Sequence, residues 1–198
     1  MPLIKYNNQS LSAITSLPAA IPTGKLKLIS SQTASNSASI SFTTGLNSTY
    51  KVYKFVFVNM KCASESAFQF NMSTDAGSNY NVTKTSTFFR AYHNTADTSY
   101  GLDYDTGRDL AQSTAFQDIG FGIVGSTYTT SGSLLIFNPA STTYVKHFIG
   151  DSTCADFVFN FKTAGYGNTT SAVNAIQFKF GTGNISAGTI YLYAIDNS

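Results

Sequence analysis

The 198-residue chain has no tryptophan, two cysteines, four prolines and only 11% charged residues, and each scarcity closes off a class of function. Cys62 and Cys154 have neither CxxC spacing nor clustered histidines, so a zinc site is not supported. A bridge between them is geometrically open. Because nothing marks an oxidising compartment, two reduced thiols acting as small core hydrophobes are the expectation. Lys and Arg are scattered and the net charge is +2, leaving no basic run to neutralise a row of phosphates. Nucleic acid is therefore not an expected partner. No uninterrupted apolar stretch approaches the roughly 20 residues of a membrane-spanning helix. The opening MPLIKYNNQS also lacks the basic region and apolar core of a secretion signal, so neither membrane anchoring nor export is expected. Without tryptophan, a sugar-stacking platform would fall to the 12 tyrosines, most of which alternate within strand-like segments where packing accounts for them.

What the chain does have is apolar bulk, 42% hydrophobic and 14% aromatic with 16 Phe, enough to offset the conformational entropy lost on folding. The polar remainder is mostly Ser, Thr and Asn, which suit strand faces and turns. So few surface charges protect poorly against association, which fits a protein covered by neighbours in an assembly; a Ser/Thr-solvated monomer is the plainer alternative.

Residues 1–23 form an expected extended arm. Pro2, Pro18 and Pro22 break any continuous helix, and Leu3, Ile4, Leu11, Ile14, Leu17 and Ile21 follow no helical period. Aliphatics in that number call for burial, either on the chain's own domain or on another chain. Residues 24–198 are expected to form one β-sandwich domain. Period-two patterns open at Leu26-Lys27-Leu28-Ile29 and continue at Ser39-Ile40-Ser41-Phe42, with a hairpin expected between them across Ser35-Asn36-Ser37. Residues 50–60 carry the strongest signal, with β-branched and aromatic residues filling both faces of the second half, and are expected as a central strand. Further strands are expected at 67–72, 87–92, 116–124, 133–137, 144–149, 156–162, 175–180 and 189–195. About ten strands with minor helix point to an all-β antiparallel β-sandwich or jelly-roll. Residues 75–83 and 95–111 read as long loops, where contacts usually lie.

Chemistry is thinly supported. His93 and His147 sit in no catalytic pattern. Gly120-Phe121-Gly122 and Gly165-Tyr166-Gly167 lack a following lysine and helix, so bulges and turns are expected there instead of a phosphate loop. Asp103, Asp105 and Asp109 offer hard oxygen ligands, but the spacing misses the calcium-loop pattern and Arg108 lies among them. An exposed turn with local ion pairs is the expectation. Glu65, Asp97, Asp103 and Asp105 are the loop acids a hydrolase would have to use, and none is assigned such a role. No catalytic, cofactor-binding or metal-binding residue is named, and no cofactor is expected.

Several phrases carry a resemblance. They include Leu28-Ile29-Ser30-Ser31-Gln32-Thr33-Ala34-Ser35, Phe55-Val56-Phe57-Val58-Asn59, Thr87-Phe88-Phe89-Arg90-Ala91-Tyr92-His93, Thr143-Tyr144-Val145-Lys146-His147-Phe148-Ile149-Gly150 and Gly183-Asn184-Ile185-Ser186-Ala187-Gly188-Thr189-Ile190. With these the chain resembles small β-rich structural proteins of marine tailed phages, such as cyanophages and pelagiphages. Cys62 stands where that pattern would carry proline. The resemblance implies a non-enzymatic virion component assembled in the host cytoplasm, most simply a capsid decoration or cement protein. It would be a homotrimer contacting other virion proteins such as the major capsid protein. A tail-fibre-type module recognising a host surface glycan is the alternative it implies. The short arm, with no long shaft before the first strand, favours the decoration role.

Overall fold

The computed structural model describes residues 26–125, 127–154 and 157–195, and the predicted arm, with Leu3, Ile4, Leu11, Ile14, Leu17 and Ile21, lies outside them. Among the described residues twelve strands form two antiparallel sheets. They are β1 (Leu26–Thr33), β2 (Ile40–Phe42), β3 (Val52–Cys62), β4 (Ser66–Ser73), β5 (Lys84–Asn94) and β6 (Tyr100–Tyr104) in the first half. The second half supplies β7 (Gln117–Gly122), β8 (Thr130–Phe137), β9 (Lys146–Cys154), β10 (Phe157–Gly167), β11 (Ala175–Phe180) and β12 (Ile185–Ile195). The all-β sandwich expected from the sequence is what forms. The minor helix is not found, since no described residue is helical.

The order of the large sheet is β1-β12-β3-β8-β9-β10-β5-β6 and that of the small sheet β2-β11-β4-β7. Setting aside β5, β6, β9 and β10, the facing quartets β1-β12-β3-β8 and β2-β11-β4-β7 have the winding of an eight-stranded jelly roll. The two extra hairpins are insertions. One follows β4, the other follows β8, and both add to the same side of the same sheet, β9 pairing with β8, β10 with β9, β5 with β10 and β6 with β5. A sheet of eight strands therefore faces a sheet of four.

Between the sheets lies an aromatic core. Phe178 of the small sheet sits 5.2 Å from Phe55, 6.0 Å from Phe68, 6.3 Å from Phe42 and 6.5 Å from Phe70, measured between ring centroids. Alternation puts these rings inward. In β3, Tyr53, Phe55, Phe57 and Met60 are fully buried while Lys54, Val56 and Val58 face out, and the strand lies between β12 and β8, the central position expected from the sequence. The switch from Phe57 to Met60 is a bulge, with Asn59 at a φ of 53° absorbing the extra residue. A second, smaller cluster of Phe88, Cys154 and Phe161, joined by Phe121, Ile123 and Phe159, lies under the added strands.

Two other expectations are corrected. β1 and β2 do not form a hairpin: residues 34–39 cross from the large sheet to the small one, anchored where Ala34 donates to the Gly188 carbonyl and Ser37 bridges Ile185. Alternation identifies a strand but not its neighbour, and here both segments pair with strands about 150 residues later in the chain. Gly165 and Gly167 lie in regular ladder, not in a bulge or turn. A β-carbon at Gly165 would stand 2.4 Å from the Thr85 carbonyl, so close strand approach explains this glycine. Near Gly120 the bulge is present, with Phe68 opposite Gly120 and Gln69 opposite Asp118.

Candidate functional site

The inserted strands create the most distinctive surface. From Phe89 onward β5 runs beyond the cover of the small sheet, and β6 forms the outermost strand of the large one. Register places Tyr104 opposite Phe89, Leu102 opposite Ala91 and Tyr100 opposite His93, all on the outer face. Tyr100 and Leu102 are 70% and 73% exposed, and Phe89, Tyr104 and Val158 on the same face are also exposed. Further along this face a shallow apolar furrow of about 540 Å³ is bounded by Phe137, Ile149, Ala164, Tyr166 and His147. Charge on this part of the face is sparse, and Lys162 and Asp151 neutralise one another across β10 and β9.

The backbone of β6 has a definite polarity. Asn94 donates to the Ser99 carbonyl and Asp105 to the Phe88 carbonyl, which fixes 88/105, 90/103, 92/101 and 94/99 as the hydrogen-bonded pairs of this antiparallel ladder. The N–H and C=O groups of Tyr100, Leu102 and Tyr104 consequently point away from β5, into the free edge. Nothing among the described residues pairs with them. On the inner face Tyr92 leans over Gly101, its hydroxyl 3.0 Å from where a β-carbon would stand, and Arg90 holds Asp103 at 3.2 Å.

The acids of the 103–109 loop are engaged by arginines and a tyrosine. Arg108 contacts Asp105 at 3.1 Å and Asp118 at 2.7 Å, while its guanidinium lies 5.0 Å over the Phe121 ring. Tyr104 donates to Asp109 at 2.6 Å. These bonds tie the loop after β6 to β7 of the opposite sheet, as the ion-paired turn predicted from the sequence would. Asp118 is pushed up from the usual carboxylate range by burial, against the lowering pull of Gln69 and Arg108. Glu65 is exposed beside Arg90, Arg108 and a wall of Phe121, Phe159 and Phe161.

The histidines lie apart on the added strands. His93 Nε2 is 2.9 Å from Asp97 and stacks on Tyr100 at the exposed end of the β5–β6 hairpin, with no hydroxyl or thiol hydrogen-bonded to it among the described residues. His147 lies on the outer face 6.3 Å from the Tyr166 ring. Cys62 and Cys154 are both buried and not joined by a disulfide, in separate clusters.

Sequence reasoning missed two features. β6 was hidden inside the stretch expected as a loop, although Tyr100-Gly101-Leu102-Asp103-Tyr104 alternates and would have betrayed it. The buried Lys84, which hydrogen-bonds Asn71 and the Val82 carbonyl, opens a polar Lys-Thr-Ser-Thr run that gave no hint of burial. No helix among the described residues is long and apolar enough to cross a membrane. No protein-family model, curated protein or solved structure matches the chain.

Proposed function

We propose that the chain is a non-enzymatic structural subunit of a tailed-phage virion, a capsid decoration or cement protein that acts through protein–protein contacts. The observation that carries this reading is the widened large sheet: a jelly roll whose insertions enlarge an apolar, weakly charged outer face with a free edge. Monomeric proteins rarely leave such a surface uncovered. The sequence phrases resembling phage structural proteins supply the setting. Self-association into a trimer and contact with the major capsid protein follow from that setting, with the aliphatic residues 1–23 as the assembly arm.

The test is direct. Mass spectrometry of purified virions carrying the gene should detect the protein, and a side-chain-resolution image should place it on the head. Absence from particles ends this reading. A variant lacking residues 1–23 should keep the strand spectrum of the intact chain while losing its place on the particle; unfolding of that variant would assign the arm to the core instead.

A further inference from the structure

The free edge of β6 is self-complementary. We infer that two copies of this chain join edge to edge through β6, antiparallel about a two-fold axis at Leu102, fusing their large sheets into one continuous sheet.

The strand Tyr100-Gly101-Leu102-Asp103-Tyr104 has the outward polar groups for it. Tyr100, Leu102 and Tyr104 each present one N–H and one C=O to the edge, as the ladder with β5 dictates. An axis at Leu102 sets Leu102 against its own copy and Tyr100 against Tyr104 of the second copy. Each of the three pairs exchanges two hydrogen bonds, six in all, and none of the outward groups is left over. A shift of the axis by half a residue would oppose outward groups to groups that point back to β5, and a shift by a whole residue would leave only two of the three pairs within the strand.

Side chains agree with the same axis on both faces. On the outer face the exposed Tyr100, Leu102 and Tyr104 of one copy meet Tyr104, Leu102 and Tyr100 of the other, closing an apolar strip across the joint. On the inner face Gly101 comes opposite Asp103 of the second copy, at the ~4.5 Å Cα spacing of a non-hydrogen-bonded pair. Tyr92, lying over Gly101, brings its phenol hydroxyl to that place, a donor facing a carboxylate. Arg90 beside each Asp103 offsets the approach of the two acids.

The edge carries no lysine, no proline and no bulge, three of the devices that keep exposed strands apart, and its defences are its shortness and the Asp103 charge on the inner face. A five-residue edge buries less than the roughly 1,600 Å² of a standard interface, which sets the joint among weak, concentration-dependent associations. This pairing stands independently of the virion reading. Where trimers form as well, two-fold joints link them in pairs.

Sedimentation of the full chain over a concentration series decides it. The mass should rise to two copies, or to six where a trimer forms. Leu102→Pro removes an N–H that serves only the edge, so the β5 ladder survives and the limiting mass should fall two-fold. Leu102→Lys should do the same should the proline variant fail to fold, whereas Leu28→Lys on the opposite edge strand should change nothing. Tyr92→Phe should weaken the association roughly a hundredfold, since the two-fold axis makes it remove two hydrogen bonds to a charged group at about tenfold each. A wild-type chain that stays at one or three copies throughout, a mass unmoved by both Leu102 variants, or an unchanged constant for Tyr92→Phe overturns the two-fold joint.

Discussion

The side-chain nitrogen of Lys84 lies 2.6 Å from Oδ1 of Asn71 and 2.7 Å from the Val82 carbonyl, fully buried and with no carboxylate on it among the described residues. Asn71 is committed on its other side, its Nδ2 donating to the carbonyls of Tyr80 and Thr114 and its Oδ1 accepting from the Met72 N–H. The cluster pins the 74–83 loop to β4 and to the start of β5. Two acceptors match the two hydrogens of a neutral amine, and burial pushes Lys84 down to about 7 from its ordinary value of 10.5.

Stability should therefore rise with pH between about 7 and 10.5. In that window the folded chain holds Lys84 neutral while the unfolded chain protonates it, so unfolding takes up a proton and higher pH disfavours it. The slope approaches at most about 1.4 kcal/mol per pH unit. Lys146, lowered by burial too, acts in the same direction. Urea unfolding at stepped pH should show the rise, and Lys84→Met should flatten most of it. A wild-type profile that is flat or falls across the window contradicts the assignment.

Phe178 is the ring on which four others converge. Replacing it with alanine should cost about 3–5 kcal/mol, the range for emptying a buried aromatic site. Phe89, 41% exposed on the outer face, should cost under about 1 kcal/mol when replaced in the same way. Equal losses in the two urea midpoints would mean that the sheets do not meet where the core places them.

Gly132 tests how closely β8 and β9 approach. A β-carbon there would stand 2.2 Å from the Asp151 carbonyl and 2.7 Å from Ser152, backbone that cannot yield locally. Gly132→Ala should destabilise by about 2–3 kcal/mol. Gly107→Ala, whose nearest neighbour is the Asp105 carboxylate at 3.3 Å in an exposed turn, should stay within about 0.5 kcal/mol of wild type. Thermal unfolding of the pair should separate them by several degrees.

Cys62 and Cys154 are 3% and 4% exposed and unbridged, and burial raises the Cys62 thiol above its ordinary range. A soluble thiol reagent should label neither in the native protein and both after denaturation without reductant. Unlabelled denatured chain would reveal a disulfide.

Fold class was legible because the signal is local: Ile176–Phe180 alternates strictly, and the strand Ala175–Phe180 forms over the residues expected. The jelly-roll winding was legible only as a class, since the pairing of β1 with β12 and of β2 with β11 joins the two ends of the chain and no local pattern records it. Strand ends at β9 and β10 ran past their predicted limits because Gly150, Asp151 and Ser152, or Thr163 to Gly167, look like turn residues until packing against neighbours is known. The free edge escaped for the same reason, the glycine and aspartate of a short strand outweighing the alternation of Tyr100, Leu102 and Tyr104.

A sheet twice as wide as its cover cannot hold together evenly. The amides of β3 and β12, paired on both sides above the aromatic core, should exchange with solvent only when the whole molecule opens, at the full unfolding free energy. Toward β5 and β6 the cover ends, the ladder has one neighbour fewer, and the amides of Tyr100, Leu102 and Tyr104 face away from any partner in the isolated chain. Protection should fall in steps across the sheet. The inserted strands thus behave as a hinged margin that can open and close while the jelly roll behind it stays shut, and whatever seats on that margin will be read out first as slowed exchange at its outermost strand.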